Sequence, residues 1–149
     1  MDTISKSQRS YNMSRIRSRN TKPEIIVRQK LFSKGIRYRI HVKDLPGKPD
    51  IVIKKYKVVI EIKGCFWHKH EGCRYSSTPK SNTKYWINKI KKNVERDVIN
   101  LKKLEEKKFK VFLLWECEIK NTDILNEKLN QISKYIKTQK IKWDKYYYF

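Results

Sequence analysis

Asp50, Glu61 and Lys63 are the residues of this chain best suited to hydrolysing a phosphodiester. The segment reads Pro49-Asp50, then ten residues, then Glu61-Ile62-Lys63. Such a hydrolysis needs an activated water and something to neutralise charge building on phosphorus and on the leaving oxygen. Carboxylates that hold Mg²⁺ serve both needs. A lysine two residues beyond a carboxylate on one strand shares its face and could orient the water or stabilise the transition-state anion. The bland alternative is that Glu61 and Lys63 form a solvated, salt-bridged strand edge.

The next nine residues, Cys65 to Cys73, carry a second kind of chemistry. Cys65, His70 and Cys73 are spaced C-x4-H-x2-C, and Cys117 follows a later apolar run. Three thiolates and an imidazole suit a closed tetrahedral zinc site. His68 competes with His70 as the nitrogen ligand, and Cys117 could instead be a small buried apolar residue. Three cysteines, an odd number, argue against a disulfide framework and for metal ligation. Phe66 and Trp67 lie inside this loop, with Tyr85 and Trp86 further on. Apolar side chains in a basic setting can wedge between base pairs; the alternative is a small core between the loop and a helix.

The basic setting is pronounced. Lys and Arg total 37 against 15 acids, a formal charge of +22, and residues 1–40 hold eleven basic residues and two acidic ones. A polyanion such as DNA or RNA is the expected partner. Hydrophobic content of 38% argues against wholesale disorder. No long apolar run and no apolar leader are present, so a soluble, cytoplasmic protein without membrane contact is expected.

The length fits one domain spanning 1–149. Residues 1–20 read as a basic arm with Arg15, Arg17 and Arg19, either ordering on nucleic acid or solvated. Thr21-Lys22-Pro23-Glu24 starts a helix that runs to about Lys34, with Thr21 and Glu24 as a capping box and Gly35 as its stop. Ile36 to Ile40 alternates as a strand. Asp50 to Ile53 and Lys57 to Lys63 read as a hairpin turning at Lys55-Tyr56, which sets Asp50 opposite Glu61. Thr83 to about Lys107 is a long helix with an apolar stripe at Ile87, Ile90, Val94, Val98, Leu101 and Leu104. Phe109 to Trp115 is a buried strand, and Asn121 to about Lys137 a further helix. Residues 138–149 form an aromatic tail. The order describes an α/β domain with a mixed central sheet flanked by helices.

Taken together, these segments resemble two known patterns. Asp50, Glu61 and Lys63 resemble the PD-(D/E)xK nuclease motif. Gly64-Cys65-Phe66-Trp67-His68, Tyr85-Trp86 and Lys92-Asn93-Val94-Glu95-Arg96-Asp97 resemble the very-short-patch-repair (Vsr) mismatch endonucleases, as do Ser10-Tyr11-Asn12-Met13-Ser14 and Trp115-Glu116-Cys117. The resemblance runs from about Arg9 to about Lys137. It implies a restriction-endonuclease-like core, a zinc-stapled loop, and Mg²⁺-dependent nicking of one strand of duplex DNA beside a T:G mismatch. It further implies that Asp50 binds Mg²⁺, that His68 is catalytic and that Glu24 lies near the site. Cys65, His70, Cys73 and Cys117 take the place of the zinc ligands, and Phe66, Trp67 and Trp86 of the intercalating aromatics. Ile62-Lys63 stand where the best-known version of the family has Thr-His, and that version has no acid at the position of Glu61. Glu61 as second Mg²⁺ ligand and Lys63 as a catalytic group are therefore features of this chain. A monomer is expected, with mismatch-repair proteins as partners left open. The competing readings are a restriction-type or structure-specific endonuclease on the same scaffold, and a zinc-stapled DNA-binding module without catalysis.

Overall fold

The computed structural model of the chain describes residues 4–15 and 19–147, with side chains through residue 142. The elements are α1 (Lys6–Ser14), α2 (Lys22–Ser33), β1 (Arg39–Ile40), β2 (Ile51–Ile53), β3 (Val58–Lys63), α3 (Thr83–Glu106), β4 (Lys110–Trp115), α4 (Glu116–Lys120) and α5 (Thr122–Tyr147). The sheet order is β1-β2-β3-β4, antiparallel at the first two pairings and parallel between β3 and β4. This is the expected mixed sheet flanked by helices.

The central strands β2 and β3 are buried along most of their length, so they read as continuous β-branched runs rather than alternating ones, whereas β4, expected to be a buried strand, buries only Leu114 fully. Ile51, Ile53, Val58 and Ile60 pack with Val27 and Leu31 of α2 and with Leu125, Leu129 and Ile132 of α5. Val52 and Val59 face the other way, against Leu104 of α3. Glu61 and Lys63 continue the Val59 face by the two-residue period. The chemistry-bearing side chains therefore emerge where that face runs out of apolar cover, under the middle of α3.

The hairpin register is the expected one, with Ile51 opposite Ile60 and Ile53 opposite Val58. The turn differs. Lys54–Tyr56 forms a 3-10 turn closed by Lys57 in the left-handed region at φ 51°, in place of a two-residue turn at Lys55-Tyr56. Lys-Tyr cannot supply the positive φ values that a tight hairpin turn needs. One extra residue on each side meets the geometry with a single left-handed residue.

Four other expectations change. The basic arm contains helix α1, started by a Ser5–Gln8 capping box and tied to the chain ahead of α3 by a 3.1 Å hydrogen bond from Arg9 to the Ser81 hydroxyl. It buries no residue, so no apolar period announces it. The Ile36–Ile40 strand shrinks to Arg39–Ile40, an exposed edge. Helix α5 continues to Tyr147, ten residues past Lys137, because the chain meets no Gly or Pro there. Finally, the α3 stripe is largely exposed: Ile87, Val98 and Leu101 lie open, and only Ile90 and Leu104 are buried. Arg17 and the side chains of 143–149 lie outside the described residues. Among the described residues no helix is long and apolar enough to cross a membrane.

Gly47 fixes the loop that delivers Asp50. It adopts φ +75°, and a Cβ there would meet Asn100 of α3 at 2.9–3.1 Å. Gly47→Ala is expected to cost about 1–3 kcal/mol, from left-handed strain and from the push on Asn100. Denaturant melting checks this; an unchanged midpoint would show that the loop shifts freely.

Candidate active site

A cleft of about 1160 Å³ opens at the end of β2 and β3 where Asp50 and Glu61 stand. Glu24, Asp50, Glu61, Lys63, Trp67, His68 and Asp97 all line it, as does Arg15 of the N-terminal segment. The five residues expected to be catalytic are thus brought to one place from α2, from the loop before β2, from β3 and from the loop after it.

Asp50 precedes β2, and its Oδ2 accepts the backbone N–H of Ile62 at 2.7 Å. That bond locks the carboxylate across the hairpin toward the β3 face. Burial pushes its pKa up from 3.8 to about 6. The Ile62 N–H pulls it down, the charges of Glu24 and Glu61 push it up, and Lys63 pulls it down. Three carboxylates facing one cleft are a set of oxygen donors that suits a hard divalent cation, and such a cation would relieve their repulsion.

Glu24 is 6% exposed. Its backbone N–H is capped by Thr21, as expected, but its side chain does not close the box on Thr21. The Oε2 atom instead accepts from the Asn20 backbone and from Arg28, both at 2.9 Å. Arg28, one turn further on, also binds the Asn20 side chain. The carboxylate is therefore held at the cleft wall by the residues that begin α2.

Asp97, quoted in the sequence only as part of a motif, organises the other half of the cleft. Its two oxygens take Lys63 Nζ at 2.8 Å and His68 Nδ1 at 2.6 Å. Lys63 also lies 3.5 Å from Glu61. Burial raises the Asp97 pKa, but the hydrogen bonds and charges of His68 and Lys63 outweigh it and hold the carboxyl below its ordinary range. With Nδ1–H donated to Asp97, the basic nitrogen of neutral His68 is Nε2. The exposed-edge reading of Glu61 and Lys63 fails, since Lys63 is 9% exposed.

The loop after β3 also carries the cysteine cluster. Turn bonds from His68 to Gly64 and from His70 to Cys65 wind it so that alternate side chains face opposite ways. Consequently His68 faces Asp97, and His70 faces the sulfurs. Ligand atoms of Cys65, His70, Cys73 and Cys117 all lie within 4.8 Å of one another. Zn–S bonds of about 2.3 Å in a tetrahedron set sulfurs about 3.8 Å apart, so a small contraction suffices. His70 stacks on Trp115 at 4.2 Å, with Nδ1 3.4 Å from the Cys117 sulfur. Burial, then the sulfurs of Cys65 and Cys73, pushes the Cys117 thiol up to about 12, and burial raises Cys65 as well. A hydrogen bond from the Tyr75 backbone lowers Cys73. Three crowded sulfurs resist joint ionisation without a cation among them, so the donor set fits zinc. The geometry also separates His70 from its competitor His68.

Phe66, Trp67 and Trp86 meet edge-on, with ring centroids 5.3–5.7 Å apart and interplanar angles of 65–79°. Adjacent Phe66 and Trp67 share one cluster with Trp86. None of the three is fully buried, so the cluster is a surface knob rather than a closed core. Asn93 of α3 donates to the Trp67 carbonyl at 3.0 Å and fixes the knob beside the cleft. Arg15 stacks on Tyr11, and Arg19 is exposed.

The family model described as DNA mismatch endonuclease Vsr matches residues 1–74. The chain is 50% identical to the type II nicking enzyme V.NmeAIP of Neisseria meningitidis, over 91% of this chain and 96% of that protein. It is 43% identical to the type II nicking enzyme V.XorIIP of Xanthomonas oryzae, over 88% and 96%. It is 37% identical to the DNA mismatch endonuclease Vsr of Escherichia coli, over 85% and 80%.

Proposed function

The chain belongs to the Vsr DNA mismatch endonuclease family and is a DNA nicking endonuclease, and from that premise we propose that it nicks one strand of duplex DNA beside a T:G mismatch, with Mg²⁺ in the carboxylate cleft and Zn²⁺ as a structural staple. The observation that carries this reading is the convergence of Asp50, Glu61, Lys63 and His68 on one cleft, with an aromatic knob beside it. The mixed four-stranded sheet flanked by helices supports it, and we read that sheet as a restriction-endonuclease-like core.

Asp50 and Glu61 would hold the Mg²⁺, with Glu24 close by. A bound Mg²⁺ would supply charge neutralisation for the phosphate and lower the pKa of a water. The protein groups do the rest. His68 Nε2 accepts a proton from the attacking water while Asp97 holds the ring in that tautomer and stabilises the imidazolium that forms, the logic of an oriented histidine base. Lys63, anchored between Glu61 and Asp97, keeps a positive charge beside the reacting phosphate. The zinc loop sets the angle between His68 and the knob. Phe66, Trp67 and Trp86 wedge into the stack, where a mispaired step is cheaper to open than a paired one. Arg15, Arg17 and Arg19 grip phosphates and add affinity without sequence preference.

Asp97→Asn is expected to lower nicking about 100-fold or more, because the amide favours the wrong histidine tautomer. Duplex affinity should stay within about twofold, since among the described residues the polar partners of Asp97 are Lys63 and His68. Single-turnover kinetics with a binding assay separate the two; equal losses in binding and in rate would give Asp97 a structural role only.

A second reading, nicking at a paired recognition sequence, is favoured by relatives whose names call them type II nicking enzymes. Rates on T:G, fully paired and branched duplexes of one sequence decide between them. The mismatch reading expects the T:G duplex to be cut fastest, and equal cutting of the paired duplex would overturn it.

A further inference from the structure

A second groove, of about 840 Å³, lies at the opposite end of the sheet. Its walls come from the end of α2 and the following segment, from the β2–β3 turn and from the middle of α5. Arg37 and Arg39 line the first wall, Lys54 and Lys55 the second, and Lys137 and Lys140 the third. No Asp or Glu lines it, whereas the catalytic cleft mixes five acids with its cations. All six of these side chains are exposed. Among the described residues none of them forms an ion pair.

Seven like charges around one concavity, with Lys34 as the seventh, repel one another at a cost to folding unless a polyanion is present. A solvated lysine face needs no concave wall built from three separate elements. Asn130 and Ser133 of α5 also line the groove, and Asn130 accepts from Lys34 at 3.1 Å. A concave basic wall with hydroxyl and amide groups between the cations is the composition that meets a phosphodiester backbone. Glu24 at the catalytic cleft and Lys34 at this groove are ten residues apart on α2, about 15 Å along the helix. The two sites are therefore separate.

We propose that this groove is a second DNA-backbone site, which holds a flanking arm of the nicked duplex. It confers non-specific, salt-sensitive affinity and no base preference. The proposal does not depend on mismatch nicking, because it is tested by binding to fully paired DNA in Mg²⁺-free buffer.

The test compares wild type with a groove variant, Lys54→Gln/Lys55→Gln/Lys137→Gln. A control, Lys102→Gln/Lys103→Gln/Lys107→Gln, removes the same charge from exposed positions at the end of α3. Binding is measured against salt on a duplex several helical turns long and on one just long enough to cover the catalytic cleft. On the long duplex the groove variant is expected to bind about tenfold more weakly, with a log–log salt slope shallower by about two to three, since each lost phosphate contact removes about 0.9. The short duplex and the control variant should change less than about twofold. A groove-dependent loss of equal size on untethered short duplexes would overturn the flanking-arm assignment. Equal losses in the two variants would reduce the groove to net charge, and an unchanged salt slope would remove it as a DNA site. Matched melting curves guard against misfolding.

Discussion

Asp50→Asn is expected to abolish nicking while making the metal-free protein more stable. The activity loss should be at least about a thousand-fold, because metal-assisted charge stabilisation is worth several kcal/mol and each 1.4 kcal/mol is a factor of ten. The stability gain follows from the pKa. Asp50 titrates at about 6 in the fold against 3.8 in an ordinary setting. Below both values native and unfolded chains carry the proton alike. Between them the native state keeps a proton that the unfolded chain has released, so stability falls as pH rises across that window and stays reduced above it. At neutral pH the penalty is about 2–3 kcal/mol, and an asparagine, which still accepts the Ile62 N–H through its oxygen, removes it. Mg²⁺ should raise the melting temperature of wild type and leave the variant unmoved. A variant that melts lower than wild type without metal would show that the carboxylate is structurally favourable, and that the site is not poised for a cation.

Removing the zinc is expected to have the second largest effect. The segment from Gly64 to Ser81 holds Cys65 and Ser76 as its buried residues and forms no regular element beyond one 3-10 turn. Its order rests on the Ser76 hydroxyl bonded to the His70 and Cys73 carbonyls and on the four-ligand cluster. Cys73→Ser or Cys117→Ser should therefore lose one equivalent of zinc by atomic emission and several kcal/mol of stability. That is less than the ~10–16 kcal/mol of zinc-finger peptides, because the sheet retains its own core. Nicking should fall in parallel, since the same loop carries His68 and the aromatic knob. A Cys117→Ser protein that keeps its zinc and its melting temperature would return Cys117 to the role of a buried apolar thiol.

Much of this site is legible in the sequence because its parts are local. Asp50 and Glu61 face each other through a hairpin whose register follows from two β-branched runs, and that register survives the change of turn. The spacing brings Cys65, Cys73 and a histidine into one loop but leaves His68 and His70 in competition, and it leaves Cys117 open as a buried thiol; the fold gathers Cys65, His70, Cys73 and Cys117. The restriction lies in α3. Its apolar stripe at Ile87, Val98 and Leu101 points to solvent, while Ile90, Asn93, Asp97, Asn100 and Leu104 face inward at spacings of three and four. The centre of that face is polar because it meets the cleft, so a search for apolar period slides off it. The signal that could have found Asp97 is this polar gap: two amides and an acid framed by buried Ile90 and Leu104. The α1 helix escaped for the complementary reason, because it has a cap but no buried face.

The most direct test of the account is a strand-resolved nicking assay on one T:G duplex, labelled on each strand in turn, with Mg²⁺ and in Mg²⁺-free buffer. The account predicts a single cut beside the mismatch on one strand, only with Mg²⁺, and lost in Asp50→Asn. Cleavage of both strands, or the same nick without Mg²⁺, would contradict it.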